Sequence, residues 1–514
     1  MKSPIASTAE AAGTPQQARL YIVGGAVRDA LLGLPASDRD WVAVGSTPQA
    51  LLDQGYRAVG KDFPVFIDPG TGEEVALART ERKSAPGYRG FVVHASPEVT
   101  LEEDLARRDL TINAIAQAED GTLIDPYGGQ RDIRNRVLRH VSDAFVEDPV
   151  RLLRLARLAA RLPDFTVASE TAALLQQMVQ QGEVDALVPE RVWQELSRGL
   201  MTARPSRMLQ VLRDCGALAR LLPEADRLWG VPQRPEYHPE VDTGVHLMLV
   251  LDRAAELGAA LPVRWACLMH DLGKGTTPAE LLPRHHGHEQ RSARLARAVA
   301  ERLRVPNDCR ELADVVAREH AHIHASGALN AAALMRLFER CDLLRRADRL
   351  GALLQACQAD AQGRTGLERV PYPPAARLPP LLQAALAVDS ASVAAAAAER
   401  GAKGTAIGDA VRTARVRAID ERLQEAAAGS EAALRPGPGS EPGPELSQSQ
   451  TESATRLRGP LPTSSLRLQP FRHAAPEPVH LPEASGQRGA AGLVALPALG
   501  AVAQEHRGLA LVQR

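Results

Sequence analysis

Asp38 and Asp40 stand one residue apart, shortly after an apolar run, a Gly24-Gly25 pair and Arg28. On an extended strand two such carboxylates share a face, with Cα atoms roughly 7 Å apart. They repel each other unless a cation joins them, and oxygen ligands at that spacing suit one or two Mg²⁺ ions. The two glycines open the short helical stretch "AVRDALL", which ends at Gly33. Free backbone N–H groups there meet no Cβ that would block a phosphate, and Arg28 adds a charged fork. Taken alone, a Gly-Gly turn is often only a turn and an Asp-x-Asp only a solvated acidic loop. In this order they describe a place where a metal meets a phosphate.

A second constellation is "EDPVRLLRLARLAAR", residues 147–161. On a helix, Asp148, Arg151, Arg154, Arg157 and Arg161 fall within an arc of roughly 140°. Leu152, Leu153, Leu155 and Ala156 cover much of the rest. Four arginines on one face repel unless they meet carboxylates or phosphates; the plain alternative is a salt-bridged surface helix. A third constellation gathers histidines in "HPEVDTGVHLMLVL", "CLMHDLGKG", "RHHGHE" and "REHAHIH". His246, the His270-Asp271 doublet, His285, His286, His288 and His320 offer imidazole and carboxylate together. That mix suits a transition metal and a bound hydroxide attacking phosphate.

These groups must be positioned by a chain of 514 residues, enough for roughly three or four domains. Hydrophobic residues are 45% and charged residues 24%, an ordinary globular balance. Aromatics are only 3%, which excludes stacking as the main grip on nucleic acid, and the net charge of −1 leaves local arginine clusters to supply it. The five cysteines show no zinc spacing and read as reduced, and no apolar run is long enough to span a membrane. A cytoplasmic protein, monomer or homodimer, is the expectation.

Residues 1–19 read as a disordered leader. Residues 20–140 alternate short β-like runs, glycine turns and helical patches, an α+β texture with a small mixed sheet. From 141 the texture is almost wholly helical: a neck over 141–235, the histidine-rich domain over 236–345 and a helical body over 346–427. The Pro/Gly/Ser/Gln-rich stretch 428–514 cannot bury enough apolar surface to offset its ordering entropy and reads as disordered.

Strand, Gly-Gly, helix with arginine, then Asp-x-Asp closely resembles the signature of polymerase-β-like nucleotidyltransferases. More narrowly, it is similar to the bacterial class II tRNA nucleotidyltransferases, the CCA-adding enzymes, and their poly(A) polymerase relatives. The resemblance runs over about 20–425. "EVALARTERKSAPGYRGF" resembles the third strand and loop of that family, which makes Glu74 a candidate third carboxylate and sets Arg79, Arg82 and Lys83 near primer or triphosphate. "RRDLTINA" resembles the RRDFTINA motif, read as a helix with Asp109 and Asn113 on one face, and implies that Arg108 contacts the nucleotide. The histidine series resembles HD-domain phosphohydrolases.

By this resemblance Asp38 and Asp40 hold Mg²⁺ and are catalytic. Gly25, Arg28, Arg108, Arg154 and Arg157 bind nucleotide, and Asp148 with Arg151 selects the base. Cytosine and adenine both offer an exocyclic amino group to Asp148, where uracil and guanine present a carbonyl. The pair thus admits CTP and ATP without a template, with tRNA as partner. His246, His270, Asp271 and His320 would hold Ni²⁺ or another transition metal for phosphatase, 2′-nucleotidase and 2′,3′-cyclic phosphodiesterase activity. One departure stands out: Ala321 occupies the place after His320 where the family suggests an acid. Two rivals share parts of this pattern. A poly(A) polymerase has the same head, but the HD domain and the lack of a strongly basic tail argue against it. A non-catalytic RNA-binding or nucleotide-sensing HD protein would leave the acidic pair idle.

Overall fold

The computed structural model describes residues 18–35, 38–59, 65–83 and 91–434. Most of the expected leader and the stretch after Leu434, with the disorder expected of them, lie outside these residues. So do residues 84–90 of the expected loop.

The head is built from β1 (Arg19–Val23), β2 (Asp40–Val44), β3 (Arg57–Val59), β4 (Val65–Ile67), β5 (Glu74–Leu77), β6 (Arg79–Lys83), β7 (Phe91–Ala95), β8 (Ala116–Ala118) and β9 (Leu123–Ile124). Seven of them form one sheet in the order β3-β4-β5-β2-β1-β8-β9, while β6 and β7 pair separately. The sheet is mixed: β2 runs antiparallel to β1 and parallel to β5. Strand alternation divides its side chains. Val42 and Val44 pack with Val23, Leu101 and Leu105 on one face, and Ala43, Val75 and Leu77 with Leu51 and Phe66 on the other.

Four short helices attend this sheet: α1 (Gly25–Leu31), α2 (Pro48–Asp53), α3 (Leu101–Ala106) and α4 (Gly129–Asn135). A reciprocal cap between Thr100 and Glu103 starts α3. The helix stops at Ala106, so "RRDLTINA" is not the helix the spacing suggested. Arg107 is its C-cap, and Thr111–Asn113 form a single 3-10 turn.

The neck comprises α5 (Val150–Arg161), α6 (Ser169–Gln180), α7 (Pro189–Leu200), α8 (Pro205–Asp214), α9 (Ala217–Leu221) and α10 (Pro223–Asp226). The arginine helix α5 packs on α7 and α8 through Leu152, Leu153, Leu155, Ala156 and Ala159, all wholly buried. Each such leucine stabilises the fold by about 1.5–3 kcal/mol. Asp148, expected on this helix, precedes it and accepts from the Val150 amide at 3.1 Å.

The histidine-bearing helices are α11 (Thr243–Glu256), α12 (Leu261–Met269), α13 (His288–Arg302), α14 (Asn307–His324), α15 (Ala331–Arg340) and α16 (Arg349–Gln362). At their centre α14 packs on α12, α13 and α16. Trp265 of α12 is wholly buried and meets Trp193 of α7 edge-on at 5.1 Å, which joins this bundle to the neck. The body closes with α17 (Pro373–Leu386), α18 (Ser390–Glu399) and α19 (Thr405–Leu434). The last helix runs past the boundary expected at 428, because "EAAAGSEAAL" is helix-forming and the first proline comes only at Pro436.

Candidate functional site

A cleft of about 990 Å³ opens between the head sheet and α5. Ten arginines and six carboxylates line it, an excess of four positive charges that favours an anionic occupant. Asp38 and Asp40 both line its head side. Asp40 is the first residue of β2 and Asp38 lies just before the strand, so the pair is not wholly on a strand as its spacing suggested. The parallel register sets Asp40 directly across from Glu74, which also lines the cleft. Burial, with Asp38 beside it, raises the Asp40 pKa above the usual carboxylate range against the pull of Arg108. A site that disfavours the charged carboxylate in this way suits a divalent cation.

The glycine turn lies against these acids. Gly24 has φ +74°, and a Cβ there would stand 3.1 Å from Arg108 Nη1 and 4.0 Å from Asp40 Oδ2. Gly25 opens α1 and lines the cleft. Arg28 is turned inward: Nε and Nη2 donate to Asp29 Oδ1 at 2.9 and 2.7 Å, and Nη1 to Asn113 Oδ1 at 2.6 Å. Asp29 also receives Arg161 at 2.8 Å. Arg108 pairs with the buried Asp104 at 3.2 Å, while its own buried Nε meets no hydrogen-bond partner. That unpaired donor in the cleft wall fits a phosphate oxygen.

Across the cleft every α5 arginine is anchored. Arg154 Nε meets Asp109 Oδ2 at 3.0 Å, and Arg157 Nε meets Glu195 at 2.5 Å. Asn113 reaches Asp109 Oδ1 at 3.0 Å without the helix that was expected to align them. Arg151 donates to the carbonyls of Ala144 at 2.6 Å and Arg107 at 2.8 Å, so its guanidinium ties α5 to the head. Asp148 is held by both oxygens to Arg191 of α7, at 3.0 and 2.9 Å. Sequence reasoning passed over Arg191 and Glu195, although their i, i+4 spacing sets them on one helix face.

The second centre lies in the helical bundle. His246, His270, His288 and His320 each turn Nδ1 to a main-chain carbonyl: Gly363 at 3.1 Å, Cys267 at 2.8 Å, His285 at 2.9 Å and Val316 at 3.0 Å. A carbonyl only accepts, so Nδ1 carries the proton and Nε2 is the coordinating nitrogen. The Nε2 atoms of His246 and His270 face the carboxylates of both Asp271 and Asp360, and those of His288 and His320 face Asp271. His270 Nε2 and Asp271 Oδ1 are buried without hydrogen-bond partners. Burial disfavours a proton on His270, yet Asp271 and Asp360 lift its pKa to about 9, whereas burial pushes His320 down to about 3. The donor set fits a divalent metal.

The four expected ligands, His246, His270, Asp271 and His320, thus come together. The acid sought beside His320 is instead Asp360 of α16, which no local pattern marked. Glu240 accepts from His246 Nδ1 at 2.9 Å and orients that ring.

A model of the poly A polymerase head domain matches residues 20–139, one of the probable RNA and SrmB-binding site of polymerase A matches 164–228, and one of the HD domain matches 243–353. The multifunctional CCA protein of Acidovorax ebreus is 65% identical, over 80% of this chain and 97% of the relative. That of Leptothrix cholodnii is also 65% identical, over 78% and 96%. Among solved structures, the Bacillus stearothermophilus CCA-adding enzyme in complex with CTP shares the fold, with a TM-score of 0.53 at 24% identity over 81% of this chain and 95% of that one. Both domain types imply the use of divalent metal. With a nucleotidyltransferase head, an HD bundle and relatives matched nearly end to end, the chain belongs to the multifunctional CCA proteins.

Proposed function

We propose that this protein builds and repairs the 3′-terminal CCA of tRNA from CTP and ATP, without a nucleic-acid template, in the cytosol. One observation carries the reading: Asp38, Asp40 and Glu74 face the arginine helix across a single cleft with a net positive lining. In each cycle the terminal ribose hydroxyl oxygen of the tRNA bonds to the α-phosphorus of the incoming nucleotide. The bond from that phosphorus to the bridging oxygen breaks, and pyrophosphate leaves. Mg²⁺ held by Asp38 and Asp40, with Glu74 beside them, supplies charge neutralisation at the reacting phosphate and a more acidic hydroxyl. Gly25 lets the triphosphate approach the backbone. Arg28, Arg108, Arg154 and Arg157 bind its phosphates and sugar.

Asp148 and Arg151 read the base. A carboxylate has about four acceptor positions, so Asp148 gripped by Arg191 still accepts from the amino group of cytosine or adenine. The test is purified protein with CTP, ATP, Mg²⁺ and tRNA lacking its 3′ end, with the added nucleotides read in order. C, C, then A is expected. A run of A without C would mean a poly(A) polymerase, and full CTP incorporation by an Asp38→Ala, Asp40→Ala variant would mean that the head is not catalytic.

The HD bundle adds phosphatase, 2′-nucleotidase and 2′,3′-cyclic phosphodiesterase activity, with Ni²⁺ or another transition metal on His246, His270, Asp271 and His320. When bound, such a metal supplies an activated hydroxide. The chain's own part is to hold four imidazoles with Nε2 inward and to keep Lys274, 2.6 Å from Asp271, beside the phosphate.

A further inference from the structure

A second concavity, of about 490 Å³, lies on the helical bundle where α14, the turn over 341–348 and α16 meet. It shares no lining residue with the head cleft and includes none of His246, His270, Asp271 and His320. Arg318, Arg340, Arg345, Arg346 and Arg349 line it against three carboxylates, Glu311, Asp314 and Asp342, an excess of two positive charges. Glu319 behind Arg340 and Arg297 beyond Asp314 add one charge of each sign and leave that excess unchanged. Among the described residues, Val315 is the one apolar side chain in the wall, and no aromatic ring joins it. A base or an acyl chain would find nothing to pack on, so the wall selects for charge.

The arginines crowd more closely than their acids account for. Arg346 Nη1 and Arg349 Nη2 both meet Glu311 Oε2, the second at 2.8 Å, so two guanidinium groups converge on one oxygen of a half-exposed carboxylate. Arg346 gives that pair only Nη1, and its other side-chain donors meet no partner among the described residues. Arg345 turns Nε and Nη2 to Asp342 at 2.7 and 2.9 Å, and its side chain is 82% exposed. Arg349 also begins α16, whose N-cap Asp348 bonds no amide through its side chain and whose first turn carries no acid. A helix start is the positive end of the backbone dipole, where arginines are disfavoured and an anion is favoured. Three arginines therefore add positive charge where the fold already has it.

We infer that this cavity is a second phosphate-binding site, filled by a tRNA backbone phosphate or by a free polyphosphate such as pyrophosphate. Guanidinium forks match phosphate oxygens two at a time. Glu311 is the resident anion, and an entering phosphate competes with it for Arg346 and Arg349. The backbone source rests on tRNA being the partner; the free-anion source does not.

The test compares the full chain with two variants, Arg345→Ala with Arg346→Ala, and Glu311→Gln. Circular dichroism melting checks folding, and Arg345→Ala alone stands in should the double variant unfold. Calorimetry with pyrophosphate and tRNA binding across a salt series read the two sources separately. With the free anion as source, the double arginine variant weakens pyrophosphate binding about tenfold, and Glu311→Gln tightens it about threefold. With the backbone as source, the pyrophosphate isotherm is unchanged, while the slope of log K against log salt for tRNA falls by about 1 to 2. In both cases CCA addition at saturating tRNA keeps its kcat. Pyrophosphate isotherms and tRNA salt slopes that are all unchanged in the folded variants overturn the inference. So does an oligoglutamate peptide that binds through these arginines as tightly as pyrophosphate, because the site would then read carboxylates.

Discussion

Arg191 of α7 holds Asp148 by both oxygens, Nη1 to Oδ1 at 3.0 Å and Nη2 to Oδ2 at 2.9 Å, across 43 residues of chain. This grip fixes the rotamer of the carboxylate proposed to read the base. Arg191→Ala leaves a partly buried anion without its fork, a change of about 1–3 kcal/mol. The expected result is a 10- to 100-fold fall in kcat/KM for both CTP and ATP, and a rise in UTP incorporation relative to CTP. Unchanged nucleotide preference in single-nucleotide assays would show that Asp148 is set without Arg191.

Asp104 is wholly buried beneath the arginine pair of the head, 2.8 Å from Arg107 and 3.2 Å from Arg108. Burial pushes its pKa up, but the two guanidinium groups outweigh burial and hold it below the usual carboxylate value. A carboxylate lowered on folding stabilises the protein above its unfolded pKa of about 4, and that stability drains away as pH falls through the lower folded value. Asp104→Asn should therefore cost about 3–5 kcal/mol at pH 7, the penalty for breaking a buried pair. Urea titrations of the two proteins should converge as the pH is brought below about 4. A gap that persists at acid pH would assign the loss to packing.

Gly24 combines φ +74° with ψ −132°, a backbone setting that side chains adopt at a cost of about 1–3 kcal/mol. Its absent Cβ also leaves room for Arg108 Nη1, which would otherwise be 3.1 Å away. Gly24→Ala should lower the melting midpoint and reduce CCA addition at least tenfold, while hydrolysis at the HD bundle is unaffected. Equal loss at both centres would point to global unfolding.

His270 is not among the residues that line the cleft holding Asp40, so the two chemistries should part cleanly. His270→Ala removes one nitrogen from the metal cluster and should abolish phosphatase activity, a fall of 100-fold or more, with CCA addition retained. Loss of both activities in a folded protein would mean that the histidines only support the fold.

Reading the chain without coordinates reached the relationships that local geometry enforces. The Gly-Gly turn before Arg28, the acidic pair, the arginine face of α5 and the histidine motifs repeat at strand or helix spacing, so neighbours a few residues apart revealed them. The same locality explains the errors at their edges. Asp148 and Asp38 stand just outside the elements to which spacing assigned them, and "RRDLTINA" breaks after Ala106, because an element ends where its caps and tertiary contacts end it. What only the folded chain decided are the meetings between distant segments. Parallel pairing of β2 with β5 brings Glu74 opposite Asp40. The packing of α7 on α5 hands Asp148 to Arg191, and the docking of α16 against α11 and α14 delivers Asp360 to His246, His270 and His324. None of these partners lies within a turn or a strand of the residue it serves, so no local period could announce it; the burial of apolar faces brought them together.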